Sequence, residues 1–149
     1  EVLSMDGLDI LLADFNRLKE NCRKLEGQKI VVGIVGAAGS DVLKIAHAHE
    51  YGVPGKLPER SFIRKSFDED KDKLGDIVDA QVSKVLSGRT SAEAAANAIG
   101  AQAAQLVQSF IDENRVKPPS DFSRKQIHTT LYETGTHIRD RISWKVEKK

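Results

Sequence analysis

The chain has one cysteine, one tryptophan, four prolines and almost no net charge. Each scarcity excludes something. Cys22 alone cannot pair within the chain or build a thiolate metal site, and in its apolar helical setting it is expected to be a small core residue. So little thiol fits a reducing compartment. Five Phe, two Tyr and one Trp, scattered, make no base-stacking platform. Lys and Arg number 23 against 22 Asp and Glu, so no global field points to nucleic acid or a membrane surface. No apolar run approaches the ~18 residues of a membrane span. The start, EVLSMDGLDILLADF, is acidic and helical in pattern, unlike a signal peptide. What remains is a soluble intracellular domain, residues 1–149, large enough to bury about two thirds of its unfolded surface without disulfide or metal.

What is present is periodic. Leu8, Leu11, Leu12, Phe15, Leu18, Cys22 and Leu25 recur at steps of three and four, predicting a helix over 6–26 that Gly27 stops. KIVVGIV at 29–35 is apolar on both faces and predicts a buried strand. The glycines at 33, 36 and 39 match neither the dinucleotide fingerprint nor the P-loop, so GAAGSD is expected to be a turn.

Two helices are expected in the middle. Ser66 to Glu69 and Thr90 to Glu93 read as capping boxes, in which a hydroxyl and a glutamate satisfy each other's end of the first turn. Behind the first, Leu74, Ile77, Val78, Val82, Val85 and Leu86 form a stripe ended by Ser87-Gly88. Behind the second, Ala95, Ala96, Ile99, Ala103, Leu106, Val107 and Phe110 form another. Gly100 weakens its helix by roughly 1 kcal/mol relative to Ala, so close packing is its expected use. From Val116 to Tyr132 the period is lost, and a mobile, exposed loop over 116–135 is expected. Ile142, Trp144 and Val146 alternate with polar residues and predict a closing strand. The resulting class is α+β: a small, mainly antiparallel sheet packed against an N-terminal helix and a long antiparallel helix pair.

The densest chemistry lies in HAHEYGVPGKLPERSFIR, residues 47–64. A small metal-dependent enzyme using His47, His49 and Glu50 is one hypothesis. However, residues two apart on a helix do not face each other, and the sequence after His49-Glu50 fails the H-E-x-x-H pattern. His128 and His137 cannot be placed in the same site. No serine lies in a nucleophile elbow, and Cys22 has no placed histidine partner. The structural account explains the composition better. Gly52, Pro54, Gly55 and Pro58 turn the chain, Arg60 and Arg64 offer bidentate donors to hold the turn, and Phe62 and Ile63 anchor it. A non-viral adaptor domain using the helix pair is a further hypothesis.

HEYG at 49–52, LPERSFIR at 57–64, the helix pair, a proline-containing linker and LYETG before a terminal strand together resemble the neck proteins of tailed bacteriophages. These tail-completion or head–tail joining proteins include the Mu-like virion morphogenesis family. The match rests on Glu50, Tyr51, Gly52, Pro58, Arg60, Phe62 and Arg64, and later on Leu131, Thr134 and Gly135. The linker departs from the family, with only Ser123-Arg124-Lys125 echoing its basic stretch. The resemblance implies a virion protein without catalytic activity or cofactor, present in host cytoplasm during assembly. It would form a six-fold or twelve-fold homo-oligomeric ring between the portal or connector and the tail-terminator or tail-tube proteins. The elbow at 54–64 and the loop at 116–135 are then the expected contacts. If one face lines the channel, Arg124, Lys125 or the C-terminal lysines would meet DNA phosphate without sequence preference.

Overall fold

The computed structural model describes residues 5–35, 39–56, 58–113, 115–116 and 138–149. Helix α1 (Met5–Glu26) leads into strand β1 (Gln28–Ile34), then α2 (Ser40–Tyr51) and a short α3 (Arg64–Glu69). The pair α4 (Lys71–Leu86) and α5 (Ala92–Asp112) follows, then one turn of helix, α6 (Ile138–Arg141), and strand β2 (Ile142–Lys148). The class is α+β, as expected. The two strands pair antiparallel, with Gln28 opposite Lys148 and Ile34 opposite Ile142, and helices pack against them.

Helix α5 organises the rest. It packs against α4 and across both strands, and its buried positions, among them Ala95, Ala96, Gly100, Ala103 and Ala104, are mostly small. Small side chains let neighbouring backbones approach closely. At Gly100 the approach is extreme: a Cβ there would lie 2.7 Å from Cγ of Trp144, 3.1 Å from its Cβ, and nearer still to Cδ1. The glycine expected to serve close packing does so, under the tryptophan of β2. Further along, Val107, Phe110 and Ile111 join Phe62, Ile138 and Ile142 in the main core. A smaller cluster of Val85, Ala92 and Ala95 receives Leu25 from α1.

Several local expectations change. Ser66 is not a cap. It lies inside α3, fully buried, and its hydroxyl donates to the Ile63 carbonyl at 2.7 Å. Helix α4 instead starts after Asp70. The α5 cap is Ser91 rather than Thr90, its Oγ accepting from the Ala94 amide at 3.1 Å. Strand β1 is half-buried rather than buried, because a two-stranded sheet shields only part of each strand. Val116, expected to open an exposed loop, is in the core at 1% exposure. The remainder of that loop, with Arg124, Lys125, Leu131, Thr134 and Gly135, lies outside the described residues, as does the 36–38 part of GAAGSD.

The largest departure is α1. Its contacts are with α4 and α5, made near its C-terminus: Leu25 packs there and Asn21 Nδ2 donates to the Val85 carbonyl at 3.3 Å. Residues 8–20 are all exposed, and Cys22, expected in the core, is exposed too. Among the described residues no helix is long and apolar enough to cross a membrane.

Candidate functional site

The stretch at 47–64 folds into an elbow closed by one carboxylate. Helix α2 ends at Tyr51 because Gly52 adopts a positive φ of 75°, which a side chain would strain, and its amide donates back to the Ala48 carbonyl at 2.8 Å. The chain reverses through 53–56, with Gly55 also at positive φ and the Lys56 amide donating to the Val53 carbonyl at 2.9 Å. It then returns alongside α2, where the Arg60 amide donates to the His49 carbonyl at 2.7 Å.

Glu50 receives the returning strand. Its Oε2 accepts from the amides of Phe62 (2.9 Å) and Ile63 (3.0 Å). Its Oε1 accepts from the Ser61 hydroxyl (2.8 Å), the Arg64 amide (3.0 Å) and Arg64 Nε (3.0 Å). Three consecutive amides at the start of a helix have no intrahelical partner; Ile63 supplies no side-chain cap for α3, and the Ser61 hydroxyl accepts only from the Lys65 amide beyond them, at 3.2 Å. Glu50 is therefore the cap of α3, contributed from another helix. The positive end of the α3 dipole and the nest of amides both favour the anion. Burial alone would push the Glu50 carboxyl up; the amides of Ile63 and Arg64, the Ser61 hydroxyl and the Phe62 amide outweigh it and hold the group below its usual value.

Arg64 locks the elbow from outside. Besides its bond to Glu50, its guanidinium donates to the Glu50 carbonyl (2.7 Å) and to Glu59 (2.8 Å). It also lies 4.6 Å from the Tyr51 ring centroid, a cation–π distance. Phe62, at 0% exposure, anchors the returning strand in the core. Pro58 is exposed, and Arg60 is buried beside His49. The residues 49–52 and 58–64 singled out in the sequence are thus brought together, with Leu57 outside the described residues.

The two described histidines do not converge, and His128 and His137 lie outside the described residues. His47 is exposed and stacks on Tyr51 at 4.7 Å. His49 is buried, its Nδ1 without a hydrogen-bond partner among the described residues. Burial and then the Arg60 charge lower its pKa to about 4, so it is neutral near pH 7. Five donors converge on the two Glu50 oxygens, which have only about four lone-pair directions between them, so no direction is left for a metal ion or a substrate proton. Among the described residues no group of three or more His, Cys, Asp or Glu is placed to hold a metal ion.

Sequence reasoning missed a second cluster. Arg115 donates to both Asp70 oxygens, at 2.9 and 3.1 Å, and to Glu69 at 3.1 Å, while lying 4.7 Å from the Phe110 ring centroid. Its hydrogen bonds hold the Asp70 carboxyl below its usual value against burial, which opposes them. The cluster ties the α3–α4 junction to the end of α5. It performs no evident chemistry beyond that. For Glu50 a signal did exist: an acid in the last turn of a helix faces the negative dipole end, so its persistence there called for strong donors from elsewhere. Comparison with family models, with curated proteins and with solved structures finds no match for this chain.

Proposed function

We propose that this chain is a structural subunit of the bacteriophage neck, assembling into a ring that joins the head to the tail. The observation that carries this is the duty of five residues of the resembling motif; Pro58 is exposed, and Leu131, Thr134 and Gly135 lie outside the described residues. Glu50 caps α3, Gly52 ends α2, Phe62 fills the core, and Arg64 clamps Glu50 against Tyr51. Arg60 is buried within the same turn. The motif is spent on shape, as befits an assembly protein whose information lies in its surfaces. The ring's neighbours would be a portal or connector on one side and tail-terminator or tail-tube proteins on the other.

The test is electron microscopy of purified phage particles carrying a small gold-labelled tag at the C-terminus of this chain. Label confined to the head–tail junction is the expected result. Particles without label, despite a tag shown to be accessible and tolerated, would overturn the neck assignment.

A further inference from the structure

Among the described residues, most of the exposed large apolar side chains lie on the part of α1 that the core leaves uncovered. Leu8, Leu11, Leu12, Phe15 and Leu18 follow one stripe at steps of three and four, and all are at least 41% exposed, Phe15 62%. Together they expose on the order of 600 Å² of apolar surface, the upper end of what the largest patch on a monomer reaches. The stripe continues into Leu25, which is packed on the α4–α5 pair, so the exposed part extends a seam that already works as a packing face. The flank of its N-terminal half is acidic: residues 5–14 hold Asp6, Asp9 and Asp14 and no Lys or Arg, although Asp14 is paired with Arg17 of the next turn.

A second exposed patch lies on α2. Leu43, Lys44, His47 and Ala48, with Val53 from the elbow, line an open groove, and Leu43 and Tyr51 are 45% and 55% exposed. Its surroundings carry more basic than acidic charge: Lys44, Lys56 and Lys65 are all exposed, against Asp41 in the first turn of α2 and Glu59, which is paired with Arg64. One patch is apolar with an acidic flank, the other apolar with a basic flank. Both stand open on the same chain. They meet only if the acidic face of one copy reaches the basic face of another.

We propose that the α1 stripe of one copy docks into the α2 groove of the next, head to tail. The two patches together come to ~800 Å², below the size of a stable specific interface and suited to a weak, concentration-dependent contact. Such a contact is heterologous: it never satisfies itself in a pair, and it propagates until the rotation closes a ring. The ring of the neck rests on the function proposed above. The contact itself does not, because it is read in solution without particles.

Light scattering on the full chain, behind size exclusion at rising concentration, tests it. The wild type should grow beyond a dimer. Phe15→Asp spoils only the α1 face and Leu43→Asp only the α2 face; both positions are exposed, and circular dichroism checks that each variant folds. Each alone should stay at the protomer mass. Mixed in equal amounts they should give twice that mass and no more, because the pair retains one good α1 face and one good α2 face. Dimers formed by Leu43→Asp alone would mean that α1 pairs with α1, and would overturn the proposal. A wild type that stays monomeric at millimolar concentration would overturn it as well. Association in solution with no label at the phage neck would keep this interface and reject the neck.

Discussion

Replacing Gly100 by alanine sets two effects of opposite sign against each other. In an exposed helix interior the change stabilises by about 1 kcal/mol, because alanine has less backbone entropy to lose. At Gly100 the new methyl group meets Trp144 at its Cβ and Cγ, atoms that cannot swing away without moving β2 or turning the whole ring. The Trp144 indole is also held by Asn97, Nε1 donating to Oδ1 at 3.3 Å. Overpacking of this kind costs ~1–3 kcal/mol, and contact with a side chain's root belongs at the upper end. The net expectation is a loss of ~2 kcal/mol, or roughly 4–8 °C in Tm for a domain of this size. Gly75 is the control: it lies in α4 with nothing within 4 Å of where a Cβ would be, so Gly75→Ala should stabilise by about 1 kcal/mol. Urea unfolding followed by fluorescence of Trp144, the sole tryptophan, reads both stability and the ring's surroundings. Adding Trp144→Ala to Gly100→Ala removes that reporter, so the double variant is followed by circular dichroism; measured against Trp144→Ala alone, the steric part of the loss should cancel. If Gly100→Ala stabilised as much as Gly75→Ala, with the emission unchanged, the close approach of α5 to β2 would be refuted.

Four further outcomes are expected. Glu50→Gln puts an amide donor against the amides of Phe62, Ile63 and Arg64, and should cost ~2–4 kcal/mol in urea unfolding; a shift below 0.5 kcal/mol, the scale of an ordinary surface change, would mean that Glu50 does not cap α3. The wild type should also lose stability as pH falls below the usual carboxylate range, since the Glu50 pKa is lowered by folding: its contribution is present above the unfolded value and disappears as pH drops through the folded one. His49 acts in a higher window. With its pKa lowered to about 4, the unfolded chain takes up the proton first, so stability is full above about pH 6.5 and declines from there toward 4. His49→Leu should flatten that part of the pH–stability curve, and an unchanged slope would refute the buried neutral histidine. Arg115→Lys keeps the charge but loses the bidentate grip on Asp70; it should lower the urea midpoint by less than Glu50→Gln does, and hydrogen exchange should rise at the α3–α4 junction rather than in α1.

The long helices were legible because burial imprints a period. Of the predicted α5 positions, Ala95, Ala96, Ile99, Ala103, Val107 and Phe110 are buried and Leu106 is partly buried. The same logic placed α1 correctly along the chain but not in space. A stripe states which face of a helix is apolar, not whether the chain itself covers it, and only Leu25 finds an internal partner. The elbow's turn was readable from Gly52, Pro54 and Gly55, and Arg64 was expected to hold it. Its acceptor was not identified, because Glu50 captures backbone amides twelve to fourteen residues away, and a backbone amide carries no side-chain signature. The misplaced cap has the same cause: with Glu50 covering the amides of 62–64, α3 can begin before Ser66, and the serine becomes an interior residue. Arg115 and Asp70 are farther apart still, and opposite charges are too common in this chain for pairing to be read without the fold.

The sheet sets an order of events for folding. Its two strands lie at opposite ends of the described chain, with Ile34 opposite Ile142 and the Lys149 amide donating to the Gly27 carbonyl at 2.9 Å. Closing so long a loop costs entropy before any strand contact repays it. The α4–α5 hairpin and the Glu50 elbow need only local closure, so they are the natural nucleus. Zipping of β2 onto β1, with Trp144 settling over Gly100, belongs to the last step. Emission from that single indole therefore reports completion of the fold rather than its beginning, and a collapsed form with its helices made and its sheet open would be silent in that signal.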